Sequence, residues 1–229
     1  MMPHPDVLPF SAEQFLAVFA AYNAAIWPAQ IGAYMVGLVA IIGMVHPGAR
    51  SDRIVAAALA GMWLFTGIAY HWLQFAVVNS TAYAFGVGFV LQAGLLLYAG
   101  LTGRVRFGVP KSRMRLATGL MLILYAAILY PLIGIVLHGY PAVPLFGITP
   151  CPVTIFTLGC LLLTMGRIPW WVAAIPVLWS LIGGTAAFLL GVPQDWILLV
   201  SGAVAVLMLA STSFQDPVSG LVSGERRSA

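Results

Sequence analysis

Charge is the scarcest ingredient of this sequence. Only 7% of its 229 residues are Asp, Glu, Lys or Arg, where a soluble domain carries about 25%. Ten Lys and Arg with six Asp and Glu cannot coat a soluble surface of this size. Cysteine is nearly absent too. Two residues cannot staple a secreted disulfide scaffold, and they form neither CxxC, CxxCH nor an iron–sulfur run. No Walker motif, Gly-rich dinucleotide fingerprint or HExxH helix occurs. Lysine appears once, as Lys111 in a basic connection, so no apolar run offers a Schiff-base lysine. That excludes a retinal cofactor and a light-driven pump. The composition also excludes a disordered chain and a nucleic-acid partner. Residues 1–10 lack the basic start of a secretory signal, and no small-residue cleavage site follows the first apolar run.

What is abundant is apolar surface. Hydrophobic residues make up 62% of the chain, and the mean hydropathy is +1.01. Seven apolar runs approach the ~20 residues that cross a bilayer core: 24–45, 54–78, 82–101, 116–137, 151–165, 170–190 and 196–210. Backbone groups in lipid must bond within their own segment, so these runs predict helices. The basic residues fall in four places: Arg50 and Arg53; Arg104, Arg106, Lys111, Arg113 and Arg115; Arg167; and Arg226 and Arg227. In a seven-span chain all four lie on one side. The positive-inside rule then places the N-terminus outside and the C-terminus in the cytoplasm. The expected fold is an all-α integral membrane protein. It has an extracytoplasmic N-terminus with a surface helix (1–23), a seven-helix transmembrane domain (24–210) and a flexible cytoplasmic tail (211–229).

Residues 10–22 read as a separate amphipathic helix at the outer interface. Ser11 with Gln14 forms a capping-box pattern behind Phe10 as a staple, and Pro28 marks a bend before the first span. The acidic residues Asp6, Glu13, Asp52, Asp195, Asp216 and Glu225 all fall in ends or loops of this scheme. Proton relays and cation-coupled carriers place carboxylates at membrane depth, so that design is not expected.

Attention therefore moves to the outer mouth. His71 lies eighteen residues past Arg53, about 27 Å along a helix at 1.5 Å per residue, and Tyr70 and Trp72 flank it. His138 ends the fourth run on the same side, where a helix-capping role competes with a functional one. It opens a stretch from Tyr140 to Pro150 too apolar for a solvated loop, which reads as a lid over the mouth. Thr149 and Pro150 suit the start of a helix that puts Cys151 in its first turn, near the positive dipole end. That helix is short, because Arg167 and Pro169 end its run. Its N-terminus should therefore form the floor of an outward pocket. Thr154 lies one turn further on. Asp195 opens the last span as a helix cap or a pocket carboxylate. Gln92 sits near the middle of the third run and should face the bundle. Trp27 and Gln30 stand at the outer start of the first run. His71, His138 and Cys151 together could hold copper or zinc, and two histidines on different helices could hold a haem. The spacing fixes none of these, nor a catalytic residue.

The segments Tyr22-Asn23-Ala24-Ala25-Ile26-Trp27-Pro28-Ala29-Gln30 and Tyr70-His71-Trp72 carry a further signal. So does the region 138–159, with Phe146-Gly147 and Pro150-Cys151-Pro152. Across about 10–210 the chain resembles an uncharacterised bacterial multi-pass membrane family, a domain of unknown function with some members loosely labelled permeases. The resemblance implies a bacterial inner-membrane protein and assigns no role to any residue.

Three functions fit these readings. The first is binding or transport of a small solute or soft metal ion through His71, Trp72, His138, Tyr140, Cys151, Thr154 and Asp195, with Gln92 deeper. The second is a membrane enzyme with Cys151 as reactive thiol and a histidine base. The third is an accessory subunit of a larger membrane complex. The expected partners are the lipid bilayer, a small-molecule or metal ligand, and copies of itself or other subunits.

Overall fold

The structure, a computed structural model, describes residues 9–214, so most of the tail expected over 211–229 lies outside the described residues. The described chain is helical, and its one β contact is an isolated bridge between Phe107 and Thr164. Among the described residues nine α-helices run in order: α1 Ala12–Ala25, α2 Ala29–Val45, α3 Ala49–Phe65, α4 Ala82–Leu101, α5 Arg113–Leu124, α6 Tyr130–His138, α7 Pro150–Leu162, α8 Trp170–Leu190 and α9 Trp196–Phe214. Five helical stretches are long and apolar enough to cross a membrane: Ala49–Val77, Ala82–Leu101, Arg113–His138, Trp170–Leu190 and Pro193–Ala210. A sixth arises if the bent pair α1 and α2 counts as one. These lengths and compositions support a membrane protein.

The N-terminal helix forms as its sequence predicts. Ser11 Oγ accepts from the Gln14 N–H at 3.2 Å, and the Gln14 side chain accepts from the Ser11 N–H at 2.8 Å. Phe10 and Phe15 stack with ring centroids 5.9 Å apart, closing the staple. Pro28 supplies no N–H to continue the helix, and α2 leaves α1 at 87°.

Two helices are interrupted by wider turns. The α3 path continues through a π-helical stretch, Thr66–Trp72, and α5 joins α6 through another, Tyr125–Leu129. A π-turn closes i→i+5 bonds and so rotates the following side chains around the axis. His71 lies inside the first stretch, and Tyr125 and Tyr130 bracket the second.

The centre of the bundle is α7. Every residue from Pro152 to Leu162 is buried. Its thirteen residues rise about 20 Å, less than a ~30 Å bilayer core. Close helix approach makes this possible: a Cβ on Gly119 would stand 2.9 Å from the Gly159 carbonyl oxygen, so only glycine fits that crossing.

The segment before α7 corrects the lid reading. Val143–Thr149 is buried within the bundle instead of lying over its mouth. Asn23 Nδ2 donates to the carbonyls of Pro141 and Val143 at 2.8 and 2.7 Å. Tyr22 Oη donates to the Ile148 carbonyl at 2.8 Å. Phe146 wedges between Tyr34 and Phe156, each ring 5.0 Å away, and fills the space over Gly37. The apolar side chains that looked misplaced in a loop are the core of this plug.

Candidate functional site

Where α3 ends and α4, α7 and α9 begin, the bundle encloses a cavity of about 490 Å³. The arginines Arg53, Arg104, Arg106 and Arg167 lie at the opposite ends of these helices. The cavity wall is dominated by rings: Phe10, Phe15 and Phe19 from the α1 region, Tyr70 and Phe75 beyond α3, Phe85 from α4 and Trp179 from α8. The second half of α8 supplies aliphatic wall from Leu181 to Leu190. The polar residues that reach the cavity are His71, Asn79, Cys151, Thr185 and Asp195, together with the tyrosine and tryptophan edges.

His71 is fully buried, yet neither ring nitrogen has a hydrogen-bond partner among the described residues. Its imidazole sits inside an aromatic cage, with Phe89 at 4.7 Å, Tyr70 and Trp179 at 5.2 Å and Phe85 at 5.8 Å between centroids. A buried polar group left unpaired costs about 1–3 kcal/mol. Native proteins keep such groups rare, and each one calls for a reason, a bound ligand or water being among them.

The floor of the cavity is a second polar group. Pro150 and Pro152 occupy the first and third positions of α7, so two N–H groups that a helix start would leave orphaned are simply absent. Thr149 stands at the cap position, but its hydroxyl donates back to the Leu145 carbonyl at 2.7 Å and caps no helix N–H. Cys151 follows in the first turn, half-buried, and lines the cavity. Its thiol borders the Asp195 carboxyl and the Tyr130 hydroxyl. Tyr130 Oη donates to Asp195 Oδ1. Tyr125 Oη donates to the carbonyl of the neighbouring Gln194 at 2.8 Å. Trp179 links the two groups: its indole meets the His71 ring edge to face and borders the Cys151 thiol, while its N–H has no hydrogen-bond partner among the described residues.

Of the residues expected at the mouth, the structure therefore brings His71, Cys151 and Asp195 to one cavity. The others serve the scaffold. Trp72 lies against Gly86, where a Cβ would meet the indole nitrogen at 2.0 Å, and donates to the Tyr83 carbonyl at 3.0 Å. Gln92 does face the bundle, where its amide nitrogen donates to the Val172 carbonyl at 2.9 Å and its oxygen has no partner among the described residues, but it does not line the cavity. Thr154 donates to the Pro150 carbonyl at 2.8 Å, inside its own helix. Gln30 donates to the Asn23 carbonyl at 2.9 Å, and Trp27 and Tyr140 are exposed away from the cavity. His138 is half-buried at the end of α6 and does not line the cavity. The three-residue metal set His71, His138 and Cys151 is thus not assembled. Among the described residues, no group of three His, Cys, Asp or Glu could hold a metal ion.

Asp195, read from the sequence as a helix cap or a pocket carboxylate at the start of the last span, is buried and lines the cavity. Trp179 and Tyr130, which complete the floor, carry no sequence signal beyond an aromatic ring inside an apolar run.

The profile of DUF6064, a family of unknown function, matches residues 12–219. No curated protein and no solved structure matches the chain.

Proposed function

Because the chain belongs to the DUF6064 family, whose function is unknown, the cavity itself is the guide, and we propose that it binds a small, largely apolar molecule bearing one hydrogen-bonding group. The single observation that carries this reading is His71, a buried imidazole facing a cavity with both nitrogens unpartnered. Small-molecule sites are concave, mostly apolar, and about 300–1,000 Å³, with a few polar groups that orient the ligand. This cavity fits that description. The aromatic walls favour a planar ring, which can stack or meet them edge-on. His71 supplies the orienting hydrogen bond, as donor through one nitrogen or acceptor through the other.

We place the protein in the inner membrane of a bacterium. Seven crossings bring the cavity to the outer face and the arginine-rich ends to the cytoplasm. In this scheme α7 and the plug before it make the fifth crossing together, since α7 alone is too short. Asp195 is already paired with Tyr130 and bordered by Cys151, so the floor favours a neutral ligand over an anion, which would meet the carboxyl group.

The test is a calorimetric titration of 1-naphthol, a neutral ring with one hydroxyl, into protein held in lipid nanodiscs. Saturable binding is expected, weakened about tenfold in His71→Phe by loss of the orienting hydrogen bond. Absence of saturable binding, or equal affinity in the variant, contradicts the reading.

A further inference from the structure

We infer that the cavity is loaded sideways from the bilayer and takes a single-chain lipophile with a neutral terminal oxygen, a long-chain alcohol being its simplest form. This rests on the binding reading above and specifies its ligand class. The cavity wall on α8 extends from Leu181 to Leu190, about 14 Å of helix at 1.5 Å per residue. That is close to the depth of one leaflet of a ~30 Å hydrocarbon core. Along this stretch, Leu181 and Ile182 line the cavity and are 54% and 37% exposed. The exposed face that continues from them, Leu178 and Phe188, is apolar as well. Side chains this exposed cannot belong to a closed wall, so among the described residues the cavity is open along α8, and its apolar rim there makes a slot suited to lipid.

Within the slot His71 keeps two unpartnered nitrogens and lies against Trp179, whereas Thr185 on the α8 wall donates its hydroxyl to the Leu181 carbonyl at 2.7 Å. A chain lying along α8 would therefore place its terminal oxygen on the His71 ring and its methylenes along Leu181, Ile182 and Leu189. A ligand dissolved in water would first have to cross that apolar edge. A ligand already dissolved in the leaflet gains the hydrogen bond without exposing its chain to water.

The experiment uses the full chain in phosphatidylcholine vesicles and a 16-carbon alcohol with a photoreactive diazirine beside its hydroxyl. Illumination is expected to attach the probe to the peptides containing His71 and Trp179. His71→Phe should lower the yield about tenfold. Ile182→Trp, which narrows the edge without touching the floor, should lower it comparably, while Leu178→Trp, on the exposed face beyond the slot, should not. The matching 16-carbon carboxylic acid should label weakly.

The inference is overturned if Ile182→Trp labels like wild type, if the acid labels as well as the alcohol, or if the probe attaches only to outer-surface peptides. The 1-naphthol titration separates the two claims. Retained naphthol binding with no long-chain labelling removes the lateral route and leaves the binding reading standing. Loss of both removes both.

Discussion

His71 and Trp179 meet edge to face, with ring centroids 5.2 Å apart and planes at 76°. The histidine comes from the π-helical end of the α3 path and the tryptophan from the middle of α8, 108 positions later. This contact joins the aromatic cage to the floor formed by Cys151, Asp195 and Tyr130. It also brings an imidazole with two unpartnered nitrogens to the lining of the cavity.

An unsatisfied group held for function should cost stability. His71→Phe keeps a ring in the cage and removes both stranded nitrogens. The variant is expected to be more stable than wild type by about 1 kcal/mol while losing ligand affinity. Thermal unfolding of both proteins in the same detergent checks this; a clearly destabilised variant would mean the ring nitrogens are satisfied in the native protein.

The two cysteines should differ in reactivity. Cys151 lines the cavity, whereas Cys160 is fully buried in the core. Monobromobimane should modify one thiol per folded chain. Cys151→Ser should abolish the labelling and Cys160→Ser should leave it intact. Equal labelling of the two single variants contradicts the placement.

Tyr130 donates to Asp195 across the floor of the cavity. Removing its hydroxyl in Tyr130→Phe strands a buried Asp195 oxygen, with an expected loss of about 1–3 kcal/mol. Asp195→Asn keeps an acceptor for the tyrosine and should cost less. Thermal unfolding of the pair tests the ordering; equal losses would place the energy elsewhere.

Asn23 pins the plug through two carbonyls. Asn23→Leu should leave both without this donor and destabilise the fold by about 2–4 kcal/mol. Faster proteolysis within 139–149 is the expected local sign. A variant that melts and resists protease like wild type would show that the plug is held by its apolar packing alone.

These findings show which sequence signals carried structural information. Ser11, Gln14 and Phe10 announced α1 because a helix start is a local arrangement, complete within five residues. Pro28 announced the bend for the same reason. Cys151 could be placed at the pocket floor because the helix after it is short and Arg167 marks its far end. Position along a helix, in other words, was legible from charge and length. Rotation about the span was not. Helices that are apolar all round give no periodicity to show which face turns inward, so His71 and His138 looked alike at similar depth. One faces the cavity, and the other ends a helix whose neighbouring Val136 and Leu137 point outward. The π-turns at Thr66–Trp72 and Tyr125–Leu129 shift that rotation further, and no residue type in them signals the change. Trp179 escaped notice because a tryptophan in an apolar run resembles ordinary core. The plug was misplaced because its burial depends on Asn23 and Tyr22, more than a hundred residues away.

The most direct test of the account is the rate at which monobromobimane modifies Cys151, measured in Cys160→Ser protein with and without saturating 1-naphthol. A ligand seated on His71 must cover the thiol that shares its cavity. The account predicts about tenfold slower modification with naphthol, and no such slowing once His71→Phe is added. Unchanged labelling with naphthol present, or equal slowing with and without the histidine, would contradict it.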